Sequence, residues 1–328
     1  MSNFWHHKKV LVTGGAGFTG SYVVELLVSK NAIVTVVDNL ENGDLNYLNK
    51  VKDKVVFLEK DLKDLNQAEE ACREQEIVLN LAAKVGGLGF NRDHPGTMLR
   101  DNILINTNVL EMARQAKVER FLVVSSACVY PRHCTIPTPE TEGFKDTPEP
   151  TNEGYGWAKR VGEIQGRLYA QEFGMKIGIA RSYNTYGPRD HFEPEKSHVI
   201  PALIKRIYDG ENPLNIWGDG EQSRSFVYVT DVARGLLEVA EKYSIADPLN
   251  IGSNEEIKIK ELVKLIIKLS GKNLKLYFDT TKPAGQPRRN CDNTKIKEKI
   301  GFDTQVSLKE GIEETIKWYK QSKYFKGN

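Results

Sequence analysis

The sequence predicts an α/β fold, a doubly wound parallel sheet followed by a smaller C-terminal lobe. Three observations carry that prediction. Short β-rich runs alternate with helical stretches as far as residue 180, an order that builds a parallel sheet with helices on both faces. The first run leads through a glycine turn into a helix, the opening of a βαβ unit. From residue 186 the elements become shorter and the alternation stops, which places a boundary there: 1–185 form the sheet domain and 186–328 mainly the second lobe, with 222–245 packing back on the sheet.

Composition narrows the function classes. Of 328 residues, 40% are hydrophobic and 27% charged, as in a soluble globular protein and unlike a disordered chain. Forty-six basic and 44 acidic residues leave a formal charge of +2, too balanced for a nucleic-acid or anionic-membrane surface. Any bound anion is therefore expected to be small. No apolar run approaches the ~20 residues of a membrane span, and residues 1–9 lack an apolar signal core, so the cytoplasm is the expected compartment. Cys72, Cys128, Cys134 and Cys291 are scattered without a Cys-x-x-Cys pair, which reads as free thiols. His6-His7 reads as a solvated end, and no metal site is expected.

Taken in order, residues 9–13 form the first strand and lead into Gly14-Gly15-Ala16-Gly17-Phe18-Thr19-Gly20, with helical spacing over 22–28. Glycines here permit a tight turn and close approach of backbone to a pyrophosphate, which the N–H groups of the helix terminus can bind. The strand at 33–37 ends in Asp38, about twenty residues on, where a carboxylate suits ribose hydroxyls and repels a 2′-phosphate; NAD is favoured over NADP. A third strand at 55–58 precedes Asp61, which either reaches an adenine or caps the helix over 65–74. A fourth, 77–81, opens onto the small residues Ala82 and Ala83. Asn102, Asn106 and Asn108 lie in the long helix over 98–116; asparagine is a poor helix former, so at least one should face a polar neighbour.

The fifth strand, 121–124, delivers Ser125, Ser126 and Cys128 to the sheet end where ligands bind in open parallel sheets. The proline-rich loop over 131–150 is long enough to rim a site. Tyr155 and Lys159, four apart on the helix over 154–173, share one face, so the ammonium is expected to favour the ionised phenol. Cys128 by itself reads as readily as a small core residue as a functional one. A sixth strand at 176–180 ends the alternation. Beyond it lie shorter elements at 203–208, 214–217, 225–228, 231–241, 259–269, 274–278 and 308–319, and scattered arginines, Arg206, Arg224, Arg288 and Arg289, whose guanidinium forks suit a diphosphate.

With these residues in view the chain resembles the extended short-chain dehydrogenase/reductases that act on nucleotide sugars. The likeness runs nearly end to end, through Thr13 to Gly20, Asp61-Leu62, Ala82-Ala83-Lys84, the serine, and Tyr155 with Lys159; Thr19 stands where isoleucine is usual. Within that family it is most similar to GDP-L-fucose synthase and GDP-mannose 3,5-epimerase, through Lys84-Val85-Gly86-Gly87, Cys128-Val129-Tyr130-Pro131, Ser197-His198-Val199-Ile200-Pro201 and Lys282-Pro283-Ala284-Gly285-Gln286-Pro287-Arg288-Arg289. The resemblance implies a Rossmann sheet, a homodimer, NAD as cofactor and a nucleotide sugar, by likeness a GDP-hexose, as substrate. It implies catalytic roles for Ser126, Cys128, Tyr155, Lys159 and His198. Cofactor contacts are implied for Gly14, Gly17, Phe18, Thr19, Asp38, Asn39, Asp61, Leu62, Leu81, Ala82, Ala83, Lys84, Tyr155 and Lys159, and substrate contacts for Gly87, Asn184, Val199, Arg206, Trp217, Arg224 and Arg289.

The sequence departs from fucose synthase at the cofactor end, where that enzyme carries basic residues for NADPH and this chain has Gly14-Gly15 and Asp38. The reading that follows is an epimerase that oxidises carbon 4, inverts carbon 3 or 5 beside the ketone, and returns the hydride. Ser126-Ala127-Cys128 replaces the Thr-Asp-Glu triplet of sugar dehydratases and argues against dehydration. The rivals are a fucose synthase-like epimerase/reductase, a C4 dehydrogenase, a UDP-sugar 4-epimerase and a catalytically silent NAD-binding module.

Overall fold

The computed structural model of the chain describes residues 3–194, 196–282 and 286–326, so Pro283, Ala284 and Gly285 of the last family-like segment lie outside the described residues. The first half runs β1 (Lys9–Thr13), α1 (Phe18–Ser29), β2 (Ile33–Asp38), β3 (Val55–Glu59), α2 (Leu65–Cys72) and β4 (Ile77–Asn80). It continues with α3 (Leu88–Asp93), α4 (Pro95–Gln115), β5 (Arg120–Ser126), α5 (Glu153–Phe173) and β6 (Lys176–Ser182). The second half begins β7 (Thr185–Tyr186), α6 (Val199–Tyr208), β8 (Leu214–Trp217), β9 (Ser223–Ser225), β10 (Val227–Tyr228) and α7 (Val229–Lys242). Then come β11 (Pro248–Ile251), β12 (Glu256–Lys258), α8 (Ile259–Ser270), β13 (Leu276–Asp279), β14 (Arg288–Arg289), α9 (Thr294–Ile300) and α10 (Leu308–Gln321).

Seven strands form one parallel sheet in the order β11-β6-β5-β4-β1-β2-β3. The chain winds outward from β1 through β2 and β3, then returns to β4 and winds the other way. That reversal puts a crevice at the C-terminal ends of β1 and β4, where neighbouring connections leave in opposite directions. Strand periodicity explains the two faces: Val10 and Val12 join Val23, Val24 and Leu27 of α1 and Val232 and Leu236 of α7 in one core. Leu11, between them, joins Val78, Phe121 and Val109 in the core beneath α2, α4 and α5. A third core, built from Leu203, Ile204, Leu214, Leu262, Ile266, Ile312 and Ile316, belongs to the C-terminal elements.

Six strands of the sheet match the sequence reading; the seventh, β11, is supplied by the second half of the chain and pairs with β6. It is four residues long and includes Asn250, too short and mixed to read as a buried strand. The run expected as one strand at 225–228 is two, because the chain changes partners at Phe226: β9 pairs with β12 and β14, whereas β10 pairs with β7. α1 starts at Phe18 rather than Tyr22, directly after the turn. All three asparagines of α4 face polar partners. Asn102 bonds to the backbone of Lys84 and Met98, Asn106 to Asn80 and Gln165, and Asn108 to the carbonyls of Leu62 and Lys63.

Candidate active site

At the crevice, Thr13 and Asn80 stand opposite one another in register, and the Thr13 hydroxyl donates to Asn80 Oδ1 at 2.7 Å while accepting from Ala82 N–H at 3.0 Å. The glycine turn fits against this join. Gly14 has φ +64°, and a Cβ there would lie 3.0 Å from the Ala82 backbone, so both conformation and space require glycine. Gly17 is the N-cap of α1 and brings no side-chain cap; the first turn also holds no acidic residue. Its N–H groups are thus left to an anion, and Phe18 and Thr19 lie in that first turn.

Asp38 closes the other side. Its Oδ2 accepts from Ala16 N–H at 3.1 Å and Oδ1 from Leu40 N–H at 2.9 Å, and burial pushes its carboxyl up against those bonds. A carboxylate accepts about four hydrogen bonds, and the Asn39 N–H takes a third, so one lone pair remains for a ribose hydroxyl. Turn, helix terminus and carboxylate together fit a dinucleotide. Asn39 holds the Glu41 N–H, and Glu41 ion-pairs with Lys84, tying the loop after β2 to that after β4. Leu62 is buried and Leu81 packs against the main core. Asp61 does not cap α2: Asp64 does, and Asp61 binds Lys63 N–H at 3.0 Å. Gly87 is the N-cap of α3, and Ala83 is half-buried between Ala82 and Lys84.

A second cluster forms where β5 ends against α5. Ser126 Oγ accepts from Cys128 N–H at 3.2 Å and so caps the single turn that carries the cysteine, leaving its O–H free to donate. α5 can approach that turn because residue 156 is glycine, where a Cβ would come within 2.6 Å of the Cys128 carbonyl. The approach brings Tyr155 and Lys159 to the cysteine. Lys159 Nζ lies 5.3 Å from the Tyr155 ring centroid and donates to Val124 O at 2.8 Å.

The expected acidification of the phenol is not what this geometry gives. Burial pushes Tyr155 well up, and the Cys128 charge adds to that. Burial also lowers Lys159 to about 8, against the opposing pull of Cys128 and Glu163. Both groups are half-buried, and the ammonium is spent on a backbone carbonyl, so desolvation is the largest cause of both shifts. Behind Lys159 lies a small cavity lined by Asn80, Asn102, Asn106, Val124 and Ala158.

The substrate-side residues fall into separate groups. Arg224 and Arg289 are register partners on β9 and β14, and Arg289 donates to the Ala127 carbonyl beside Cys128. Burial, then repulsion from Arg289, lowers Arg224 to about 10. Two crowded guanidiniums next to the turn that carries Cys128 suit a dianionic group. Arg206 is elsewhere, its fork held by Glu211 at 2.5 and 2.7 Å and by the Asn215 carbonyl. Arg288 is likewise taken, by Glu256. Trp217 ends β8 with 58% of its surface exposed, Val199 begins α6 at 43%, and Asn184 donates to Ser225 O at 2.8 Å. His198 is the N-cap of α6 and bonds to Asp190 rather than to Cys128, with Nδ1 at 3.1 and 3.3 Å from the two carboxylate oxygens. Asp190 charge holds the imidazole above the ordinary histidine range.

Two acidic residues behind the site, Glu163 and Asp190, escaped the sequence reading. Glu163 continues the Tyr155–Lys159 face by one further turn and is fully engaged, by Arg181 at 2.7 and 2.8 Å and by Ser125 Oγ at 2.5 Å. Its spacing of four from Lys159 was the available signal. Asp190 left none, since its partner is eight residues away across a loop.

A model of the NAD dependent epimerase/dehydratase family matches residues 10–252. Over 319 residues the chain is 35% identical to the probable GDP-L-fucose synthase 1 of Oryza sativa subsp. japonica, covering 96% of this chain and 92% of that protein. It is 29% identical over 325 residues to GDP-mannose 3,5-epimerase 1 of Oryza sativa subsp. indica, covering 97% and 84%. The solved UDP-glucose 4-epimerase of Thermotoga maritima with UDP-glucose superposes with a TM-score of 0.85 at 33% identity, over 95% of this chain and 98% of that one.

Proposed function

Because the chain belongs to the NAD-dependent epimerase/dehydratase family, we propose that it epimerises a nucleotide sugar, a GDP-hexose, at carbon 3 or 5 through a 4-keto intermediate. The observation that carries this reading is the placement of Cys128 within the electrostatic reach of both Tyr155 and Lys159, on a turn capped by Ser126 and bonded by Arg289. A 4-epimerase has no need of a thiol there. In this reading residues 1–185 hold the cofactor and the later segments the substrate, and two copies of the chain associate through α4 and α5.

Gly14, Gly17, Phe18, Thr19, Asp38 and Lys84 are the residues that would hold NAD, which when bound supplies the hydride acceptor and donor at the sugar carbon. Tyr155 exchanges the proton of the 4-hydroxyl, and the free O–H of Ser126 steadies that oxygen. A ketone acidifies the neighbouring C–H bonds, because the electron pair left behind delocalises into the carbonyl. Cys128 and His198 then remove and return the proton on opposite faces of the ring. Arg224 and Arg289 bind the diphosphate.

The test is proton exchange at the sugar carbons in D₂O. The wild type with GDP-hexoses should incorporate deuterium at carbon 3 or 5 without net absorbance at 340 nm, and Cys128→Ser should slow incorporation by ~10²-fold or more, the usual size of an acid/base contribution. Equal rates in the two proteins remove Cys128 from the mechanism. The 35% identity to a fucose synthase favours one second reading, epimerisation followed by reduction. Stoichiometric consumption of reduced cofactor with a 4-keto sugar would select it.

A further inference from the structure

We propose, building on the epimerase reading, that Asp190 is the positioning residue that makes His198 a base, by holding the Nδ1–H and leaving Nε2 free. A carboxylate only accepts hydrogen bonds, so the nitrogen lying 3.1 and 3.3 Å from its two oxygens must be the protonated one. In the neutral ring the lone pair then sits on Nε2. Asp190 is fully buried, while the His198 side chain keeps 60% of its surface exposed. One partner is thus fixed and the other reachable.

The seat of Asp190 is built for rigidity. Its Oδ1 also accepts from His191 N–H at 2.8 Å. Arg189, immediately before it, is held at φ +71°, a left-handed conformation rare for a residue with a side chain. The Arg189 guanidinium donates to Ser21 Oγ at 3.0 Å and ion-pairs with Glu25, both on α1, and stacks 4.5 Å over the Tyr22 ring. The carboxylate that aims His198 is therefore anchored to the helix that opens the cofactor site. Around the imidazole, Asp190 acts by charge and hydrogen bond, and burial opposes it; His198 in turn repels charge on His191, on which Asp190, Glu193 and Lys196 also bear. The first turn of α6 adds no acidic group.

In the step served, the C–H bond beside the ketone breaks, its proton passes to Nε2 and its electron pair enters the carbonyl as an enolate. The carbon regains a proton from the Cys128 thiol on the other face. The resulting imidazolium and thiolate reset by exchange with water.

Nitrogen-15 NMR of histidine-labelled full-length protein tests the assignment, with His198→Gln identifying the resonance. The expected result is an Nδ1–H tautomer in the wild type, and in the near-isosteric Asp190→Asn a lower titration midpoint with deuterium incorporation reduced at least ~10-fold. A neutral wild-type ring protonated on Nε2 overturns the proposal, and this measurement needs no variant that could misfold. An unchanged midpoint in Asp190→Asn overturns it equally. If the Nδ1–H tautomer is present but no sugar nucleotide exchanges deuterium, the epimerase reading fails and the tautomer assignment stands.

Discussion

In the proposed mechanism Tyr155 and Lys159 oxidise the sugar, and burial moves them in opposite directions: the phenol up and the ammonium down to about 8. The lysine is charged below that value and neutral above it. If its positive charge assists proton removal by Tyr155, the assistance is lost as pH rises through about 8. Single-turnover hydride transfer should therefore decline on the alkaline side of that point, and Lys159→Met should be slow throughout with the decline abolished. A Lys159→Met profile that retains the same alkaline limb would assign the limb to another group. The same depression costs folding stability in full below about 8, where both states carry the charge, and the cost is relieved as pH climbs from about 8 toward 10.5, where the unfolded state binds more protons.

α4 and α5 pack along one another, and their partnership shows how an element can serve two interfaces. Inward, Asn106 of α4 meets Gln165 of α5 at 2.8 Å and Glu111 meets Tyr169 at 3.1 Å. Outward, Leu104, Leu168 and Phe173 remain 40–46% exposed. Isolated apolar side chains on a surface are ordinary, but two adjoining helices that each leave large ones uncovered suit a second copy of the chain. Light scattering should give a mass twice the 37.0 kDa of the chain, and Leu168→Glu should lower it. A wild-type monomer at micromolar concentration would remove the dimer from the reading.

Across the whole molecule, cofactor choice couples one carboxylate to global stability. A ligand that binds only the folded state stabilises it by about 2.7 kcal/mol at a hundred times its dissociation constant. NAD should therefore raise the melting temperature while NADP at equal concentration raises it little, if the Asp38 carboxylate repels a 2′-phosphate as the proposed cofactor site requires. Asp38→Ser should narrow the difference. A larger shift with NADP than with NAD in the wild type would refute this preference and favour the reductive alternative. No described helix is long and apolar enough to cross a membrane.

Strands β1 to β6, the glycine turn and the Tyr155–Lys159 face were legible in the sequence because each is a local pattern: a β-branched run, a spacing of glycines, a separation of four on a helix. What only the tertiary structure decided is non-local. β11 becomes a sheet strand by pairing with β6, although it follows the second lobe's first elements in the chain. Arg224 and Arg289, 65 positions apart, become neighbours through strand register, whereas Arg206, of the same residue type, is held by Glu211. Asp190 acquires a role by facing His198 across a loop. Desolvation is the last such property: the sequence placed Lys159 beside Tyr155, and the depth at which the fold buries both determined that neither titrates as an exposed pair would.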